Sequence, residues 1–467
     1  MTHYDLVIIG TGSGNTIVNR RFADWKVAIV ERGTFGGTCL NVGCIPTKMF
    51  VHAADVAATP SVSSRYGVDE QLLGVRWPEV RDRIFGRIDP IAAGGSEYRH
   101  HNPDNANVTV YDGTGRFTGF KELTVDTKDG ASSVFSADRF VIATGSRPIV
   151  PPIPGLEDTG FHTSNTIMRL EELPRRLAII GSGFVAAEFA HVFASFGVEV
   201  TVVARSKELL RTEDAEIAAR YTEIAQAKYD VRLNHETIRV ARRDDGTILL
   251  GMLHPDGSDE LEVDELLVAV GREPNSDLLN LDATGVEVDH EGRVVVDAYQ
   301  QTTVEGIYAL GDVTNPHQLK HVANHEARVV KHNLLNPDDR IEADHRFVPH
   351  AVFSSPQIAS VGLTEEQARD RGIPYVAAVQ RYGDIAYGWA MEDTTGFAKV
   401  LADPETGQII GCHVIGPQAP TVIQPVIQAM SFGLDAYTMA RGQYWIHPAM
   451  PELIENALLK LDLRPER

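Results

Sequence analysis

The chain has 467 residues, enough for about three domains of ordinary size. Its 43% hydrophobic and 23% charged content is that of a soluble globular protein, and 64 acids against 43 bases leave a net charge of −21, which speaks against nucleic acid as a partner. No apolar run reaches the roughly 18 residues of a membrane span, and no basic leader precedes the first apolar segment, so the expected compartment is the cytosol.

The first predicted element is a strand from Tyr4 to Ile9. It runs into a glycine turn, Gly10-Thr-Gly12-Ser-Gly14-Asn15, then a predicted helix, then a strand from Val27 to Val30 that ends at Glu31. This is the order of a βαβ dinucleotide-binding unit. Gly10 permits the tight turn, Gly12 lets backbone approach a pyrophosphate, and the helix would aim its N-terminus at that charge. Glu31 stands where an acid would hold a ribose hydroxyl. Asn15 departs from the small residue expected in its place, adding bulk where helix and strand should pack.

Next comes Gly36-Gly-Thr38-Cys39-Leu-Asn-Val-Gly43-Cys44-Ile-Pro46-Thr-Lys48, which holds two of the three cysteines. Residues five apart in a regular helix rise by roughly 7.5 Å, whereas a disulfide needs Cα atoms about 4.4–6.8 Å apart. A bridged segment therefore cannot be regular helix, and Gly43 and Pro46 supply the distortion. A helix beginning near Cys44 would lower the pKa of its thiol. A structural bridge, a buried thiol pair and a metal site are the competing readings. Reducing conditions disfavour the first, and no further cysteines complete a metal site, so the pair is read as a redox couple.

Phe140-Val-Ile-Ala143-Thr144-Gly145 closes this first unit, and proline-rich sequence from Pro148 to Pro154 links it to a second. There Leu177–Ile180 precedes Gly181-Ser-Gly183-Phe184-Val-Ala186, a helix to about Phe196, and a strand from Val198 to Val203. This strand ends at Ala204-Arg205 rather than at an acid. With Lys207 and Arg211 nearby, that ending suggests a 2'-phosphate, hence NADPH in preference to NADH. Glu265–Val270 and Gly271 close the second unit. A later strand ends at Gly311-Asp312. His321, His325 and Glu326 imitate a metal-binding helix face, but no metal is assigned to them. Past Ala343 the pattern changes to antiparallel strands with helices, and Cys412 reads as a buried apolar residue.

Two nucleotide sites and a dithiol, with His447-Pro-Ala-Met-Pro-Glu452 near the end, resemble the FAD-dependent pyridine nucleotide-disulfide oxidoreductases, which include glutathione reductase and lipoamide dehydrogenase. The resemblance covers essentially the whole chain. It implies an α/β fold with two Rossmann-like domains and a C-terminal α+β dimerisation domain, divided as 1–147 (FAD and redox disulfide), 148–270 (NAD(P)H), 271–343 (completing the FAD site) and 344–467 (interface). It also implies a homodimer in which His447 and Glu452 reach the other subunit's active site. Cys44 would lie against the flavin and Cys39 would attack the substrate disulfide, with Lys48 near the flavin and paired with Glu188. Thr38 and Asp312 would help hold the flavin, and Phe184 takes the place of a tyrosine that covers the nicotinamide pocket in glutathione reductases.

The tail from Leu461 to Arg467 carries no cysteine, which argues against the branches with a second C-terminal redox pair. Lys48-Met-Phe50, Tyr382–Asp393 and Ala440–Trp445 resemble the mycothione reductase branch, implying a small disulfide, mycothione, as substrate. Glutathione disulfide and lipoamide are the alternatives. A flavin redox sensor or complex subunit without free turnover is the reading from a different class.

Overall fold

A computed structural model describes residues 1–463, so the last four residues of the tail lie outside the described residues. Five parallel strands form the first sheet, in the order Val108–Gly119, Val27–Glu31, Thr2–Ile9, Ser132–Ile142, Ile307–Ala309. The first and fourth of these run on past the sheet and pair antiparallel with Glu122–Thr127. Thr2–Ile9 is central, and its alternate residues enter different cores. Leu6 and Ile8 pack with Phe22 and Val330, while Val7 and Ile9 pack with Phe117 and Phe140. Burial on both faces explains the nearly unbroken apolar run in its sequence.

The second unit repeats the design with four parallel strands, Glu265–Val268, Arg176–Ile180, Glu199–Ala204 and Asp230–Leu233. The two glycine turns match. Gly10 and Gly181 have φ of +107° and +146°, and a Cβ on either would lie 2.3 or 2.2 Å from the carbonyl of Ala143 or Ala269. Only glycine fits where backbone strands approach this closely. A five-stranded antiparallel sheet with helices forms the C-terminal domain, in the order His350–Val352, Ile358–Gly362, Ile409–Ile415, Phe397–Ala402, Val376–Arg381. Cys412 is fully buried there.

The first unit departs from the expected strand-helix-strand order. No α-helix follows the first glycine turn; Gly14–Thr16 and Arg20–Phe22 form single 3-10 turns instead, whereas the second unit carries the regular helix Phe184–Ser195. The β-branched run Thr16-Ile17-Val18 weakens helix formation, and a remote side chain takes over the freed carbonyls. Arg99, buried at the end of helix Trp77–His101, donates to the carbonyls of Asn15 and Val18 at 2.8 and 2.9 Å and to Asn15 Oδ1 at 2.8 Å. Asn15 is thus an anchor rather than a packing defect. The small residue required by packing is Gly14, where a Cβ would lie 2.6 Å from the Ala143 Cβ. Replacing Arg99 by methionine leaves these acceptors buried without donors. It should cost about 3 kcal/mol or more in chemical denaturation and weaken flavin retention.

Packing also fixes the redox segment against the second unit. Helix Cys44–Ala58 shares a core with Trp77–His101 and Phe184–Ser195, in which Phe50 stacks on Trp77 with centroids 5.1 Å apart. Among the described residues no helix is long and apolar enough to cross a membrane.

Candidate active site

Cys39 and Cys44 come from two short helices in series. Gly37–Asn41 carries Cys39 and ends at Val42; Gly43, with φ −132° and ψ −120°, breaks the chain's course, and Cys44 begins the next helix. Gly37 (φ +72°) crosses the first glycine turn so closely that a Cβ would lie 2.7 Å from Gly12 Cα. Asn41 donates to the carbonyls of Phe35 and Gly37, both at 3.0 Å, and holds this crossing in place.

Both thiols are free, so the structure shows the dithiol. The Cys39 thiol donates a hydrogen bond to Cys44, which holds the Cys39 proton on and pushes its pKa up, with burial adding to the effect. The same bond brings Cys44 down to about 7 against the opposing effect of burial, and Lys48 assists. Cys44 is therefore the sulfur that carries the thiolate. Alkylation of the reduced protein at Cys44 should accelerate as pH rises through about 7. In Cys39→Ala, which removes the donor, the midpoint should shift upward, toward the roughly 8.5 of an ordinary thiol.

Lys48 lies one helical turn beyond Cys44. Its ammonium is 2.8 and 2.7 Å from the two oxygens of buried Glu188 and 4.7 Å from the centre of the Phe353 ring. Phe353 N–H donates to Glu188 at 3.0 Å, so three separate elements fix one cation.

Several polar groups of the site carry no local sequence signal. Lys320, at the start of helix Lys320–Leu335, donates to Ser13 at 2.8 Å and lowers the pKa of both cysteines by its charge. Ser146 donates to Asp312 at 2.6 Å and accepts from Arg272 at 2.8 Å. Fully buried Glu326 accepts from Gly311 N–H at 2.6 Å and from Asn315 at 2.8 Å. His321 and His325 engage backbone groups of Pro349 and Asp344 instead, so the apparent metal-binding face is divided among other partners.

These groups meet in a cleft of about 1490 Å³. It is lined by Gly10, Gly12, Glu31, Thr38, Cys39, Cys44, Lys48, Ala143, Thr144, Gly145, Gly183, Phe184, Glu188, Gly311 and Asp312. A smaller depression of about 560 Å³ opens at Cys44 beside Ile45, Met49, His52 and Arg83. The cleft suits a bound dinucleotide. Among the described residues, Thr144 Oγ1 is buried without a hydrogen-bond partner, and Gly145 (φ +64°) has nothing within 4 Å of the position a Cβ would take. Glu31 draws the turn together by accepting from Thr11 N–H and Gly33 N–H at 2.9 and 2.7 Å.

Other predicted residues lie off the cleft lining. Gly14, Gly181 and Gly271 shape backbone turns or packing behind it. Arg205, Lys207 and Arg211 are exposed, with no ion-pair partner among the described residues. His447 stands in the C-terminal domain with its side chain 70% exposed and Nδ1 2.6 Å from Glu452 Oε1, while the other Glu452 oxygen accepts from Ala449 N–H at 3.1 Å. A single chain does not bring His447 to the lining of its own cysteine cleft.

A family model described as pyridine nucleotide-disulphide oxidoreductase matches residues 4–327, and that family's dimerisation domain matches residues 348–458. The mycothione reductase of Mycobacterium tuberculosis is 52% identical over 99% of this chain and 100% of its own. The dihydrolipoyl dehydrogenase of Corynebacterium glutamicum is 32% identical over 97% of each chain. The solved structure of the HOCl-induced flavoprotein disulfide reductase RclA from Escherichia coli superimposes with a TM-score of 0.84 at 30% identity, covering 98% of this chain and 100% of that one. The chain belongs to the pyridine nucleotide-disulphide oxidoreductase family, as an FAD- and pyridine-nucleotide-dependent enzyme that reduces disulfides.

Proposed function

We propose that this protein is an NADPH-dependent mycothione reductase that works in the cytosol as a homodimer with each active site shared between subunits. The observation that carries the reading is the meeting of Cys39 and Cys44 with Lys48, Glu188 and both glycine-turn regions in one cleft. The 52% identity to the M. tuberculosis mycothione reductase, against 32% to a dihydrolipoyl dehydrogenase, supports the substrate. The unpaired bases Arg205, Lys207 and Arg211 support NADPH, since they can meet a 2'-phosphate where NAD would call for an acid. In the dimerisation domain Phe432, Tyr444 and Ile446 are 79%, 104% and 78% exposed. Tyr444 and Ile446 precede His447 closely, and a second copy covering them would carry His447 to the partner's cleft.

FAD would be held by the Gly10–Gly14 turn, Glu31, Thr38, Ala143–Gly145, Gly311 and Asp312, with Lys48 beside it. When bound it accepts the hydride of NADPH and passes two electrons to the Cys39–Cys44 disulfide. The chain's own residues perform the remaining steps. His447 of the partner subunit takes the Cys39 proton; the Cys39 thiolate attacks one substrate sulfur, forming a mixed disulfide and expelling a thiolate, which the resulting imidazolium protonates. Glu452, accepting from His447 Nδ1, fixes the ring and stabilises its charge. The Cys44 thiolate then attacks Cys39 sulfur, restoring the bridge and releasing the second half of the substrate as a thiolate that takes its proton from water. Phe184 covers the nicotinamide pocket without offering a hydroxyl.

The residue blocks 1–147, 148–270, 271–343 and 344–467 are proposed to bind FAD, bind NADPH, complete the FAD site and form the interface. NADPH oxidation with mycothione, glutathione disulfide and lipoamide offered in parallel tests the assignment. Turnover should be fastest with mycothione and slower with NADH as donor. Rapid turnover with glutathione disulfide alone would overturn the substrate.

A further inference from the structure

Among the described residues, one cluster of potential metal ligands lies outside the cleft. His235, His254 and Asp259 offer ligand atoms that all fall within 4.8 Å of one another. They come from the three-stranded antiparallel sheet attached to the second nucleotide unit. His235 immediately precedes Glu236–Arg242, His254 ends Ile248–His254, and Asp259 lies in Gly257–Val263. None of the roles above uses them.

Their arrangement is specific. The imidazole rings stack with centroids 4.7 Å apart and planes 23° apart. His235 Nδ1 donates to the Leu233 carbonyl at 2.7 Å, which places the proton on Nδ1 and leaves the Nε2 lone pair free. That Nε2 is 3.4 Å from one Asp259 oxygen, and His254 Nε2 is 3.7 Å from the other. Both separations exceed an ordinary N–H···O bond. A cation held at about 2.0–2.2 Å from each ligand would draw these groups together. The histidine side chains are 16% and 18% exposed and Asp259 is 48% exposed, so the outer side is open to water as a further ligand.

We propose that His235, His254 and Asp259 bind one divalent cation of the Zn²⁺ type and so brace the coenzyme loop. Two imidazole nitrogens and one carboxylate select a borderline transition metal over Mg²⁺ or Ca²⁺, which prefer all-oxygen sites. The brace follows from backbone contacts. His235 N–H donates to Ala204 and Asn234 N–H to Ser206, both at 3.0 Å, on either side of Arg205. An ion that pins His235 therefore stiffens the segment bearing Arg205; this consequence rests on the NADPH reading, whereas the metal site does not.

The test uses oxidised holoenzyme, in which the cysteine bridge removes competing thiolates. After chelation, equilibrium dialysis against Zn²⁺ and the visible spectrum of bound Co²⁺ measure occupancy. One ion per chain with nitrogen and oxygen ligation is expected, weakened roughly 10–100-fold or more in both His254→Gln and Asp259→Asn. No bound ion, or binding unchanged in both variants, overturns the site. Titration of the same protein with NADP⁺ tests the brace. Zn²⁺ should tighten NADP⁺ several-fold in the native chain and not in His254→Gln; an equal response in both overturns the coupling. Failure of the native chain to bind NADP⁺ at all would refute the coenzyme reading, while the dialysis still decides the metal site.

Discussion

Replacing Cys39 by serine should give a folded, yellow protein that binds FAD yet reduces disulfides at least about 10³-fold more slowly, as expected when an attacking nucleophile is removed. Cys39 is half-buried in the short helix Gly37–Asn41, whose position depends on Gly37 crossing Gly12 and on Asn41 bonding to backbone carbonyls. Serine preserves that geometry. It removes the group that forms the mixed disulfide and leaves Cys44 without a partner. Disulfide turnover retained in this variant, measured as NADPH oxidation with mycothione, would contradict the role of Cys39.

Replacing His447 by glutamine should lower turnover by about 10²–10⁴-fold, the usual contribution of a positioned acid-base group. A loss of this size is expected because His447 is held by a 2.6 Å bond to Glu452, whose second oxygen is itself held by Ala449 N–H. Mixing subunits separates a shared site from a local one. After dissociation and reassembly, Cys39→Ser and His447→Gln chains should regain about a quarter of native activity. Random pairing makes half the dimers mixed, and one of the two sites in each mixed dimer is intact. If each chain used its own His447, no pairing would restore activity.

Much of the fold is legible because its signals are local. The glycine turns after Ile9 and Ile180, the apolar strands and the break at Gly43 each follow from a few neighbouring residues. The Lys48–Glu188 ion pair joins distant residues, yet family resemblance makes it visible in the sequence. The missing helix after Gly14 was not legible, because its replacement depends on Arg99 reaching in from another helix. Asn15 therefore looks like a defect in the sequence and acts as a ligand for Arg99 in the fold. Ser146, Arg272 and Lys320 escape notice for the same reason, and Glu326 is visible only as part of an apparent metal-binding face. Each is an ordinary polar residue until the tertiary structure sets it beside Asp312, the cysteines or Gly311.

Electron storage by Cys39 and Cys44 is the centre of the mechanism, and anaerobic thiol counting tests it most directly. Adding NADPH to oxidised native protein should expose both cysteines to alkylation, identified by mass spectrometry, while Cys39→Ser should show no gain in thiols. Bleaching of the flavin by NADPH with no new thiol at either position would contradict the account.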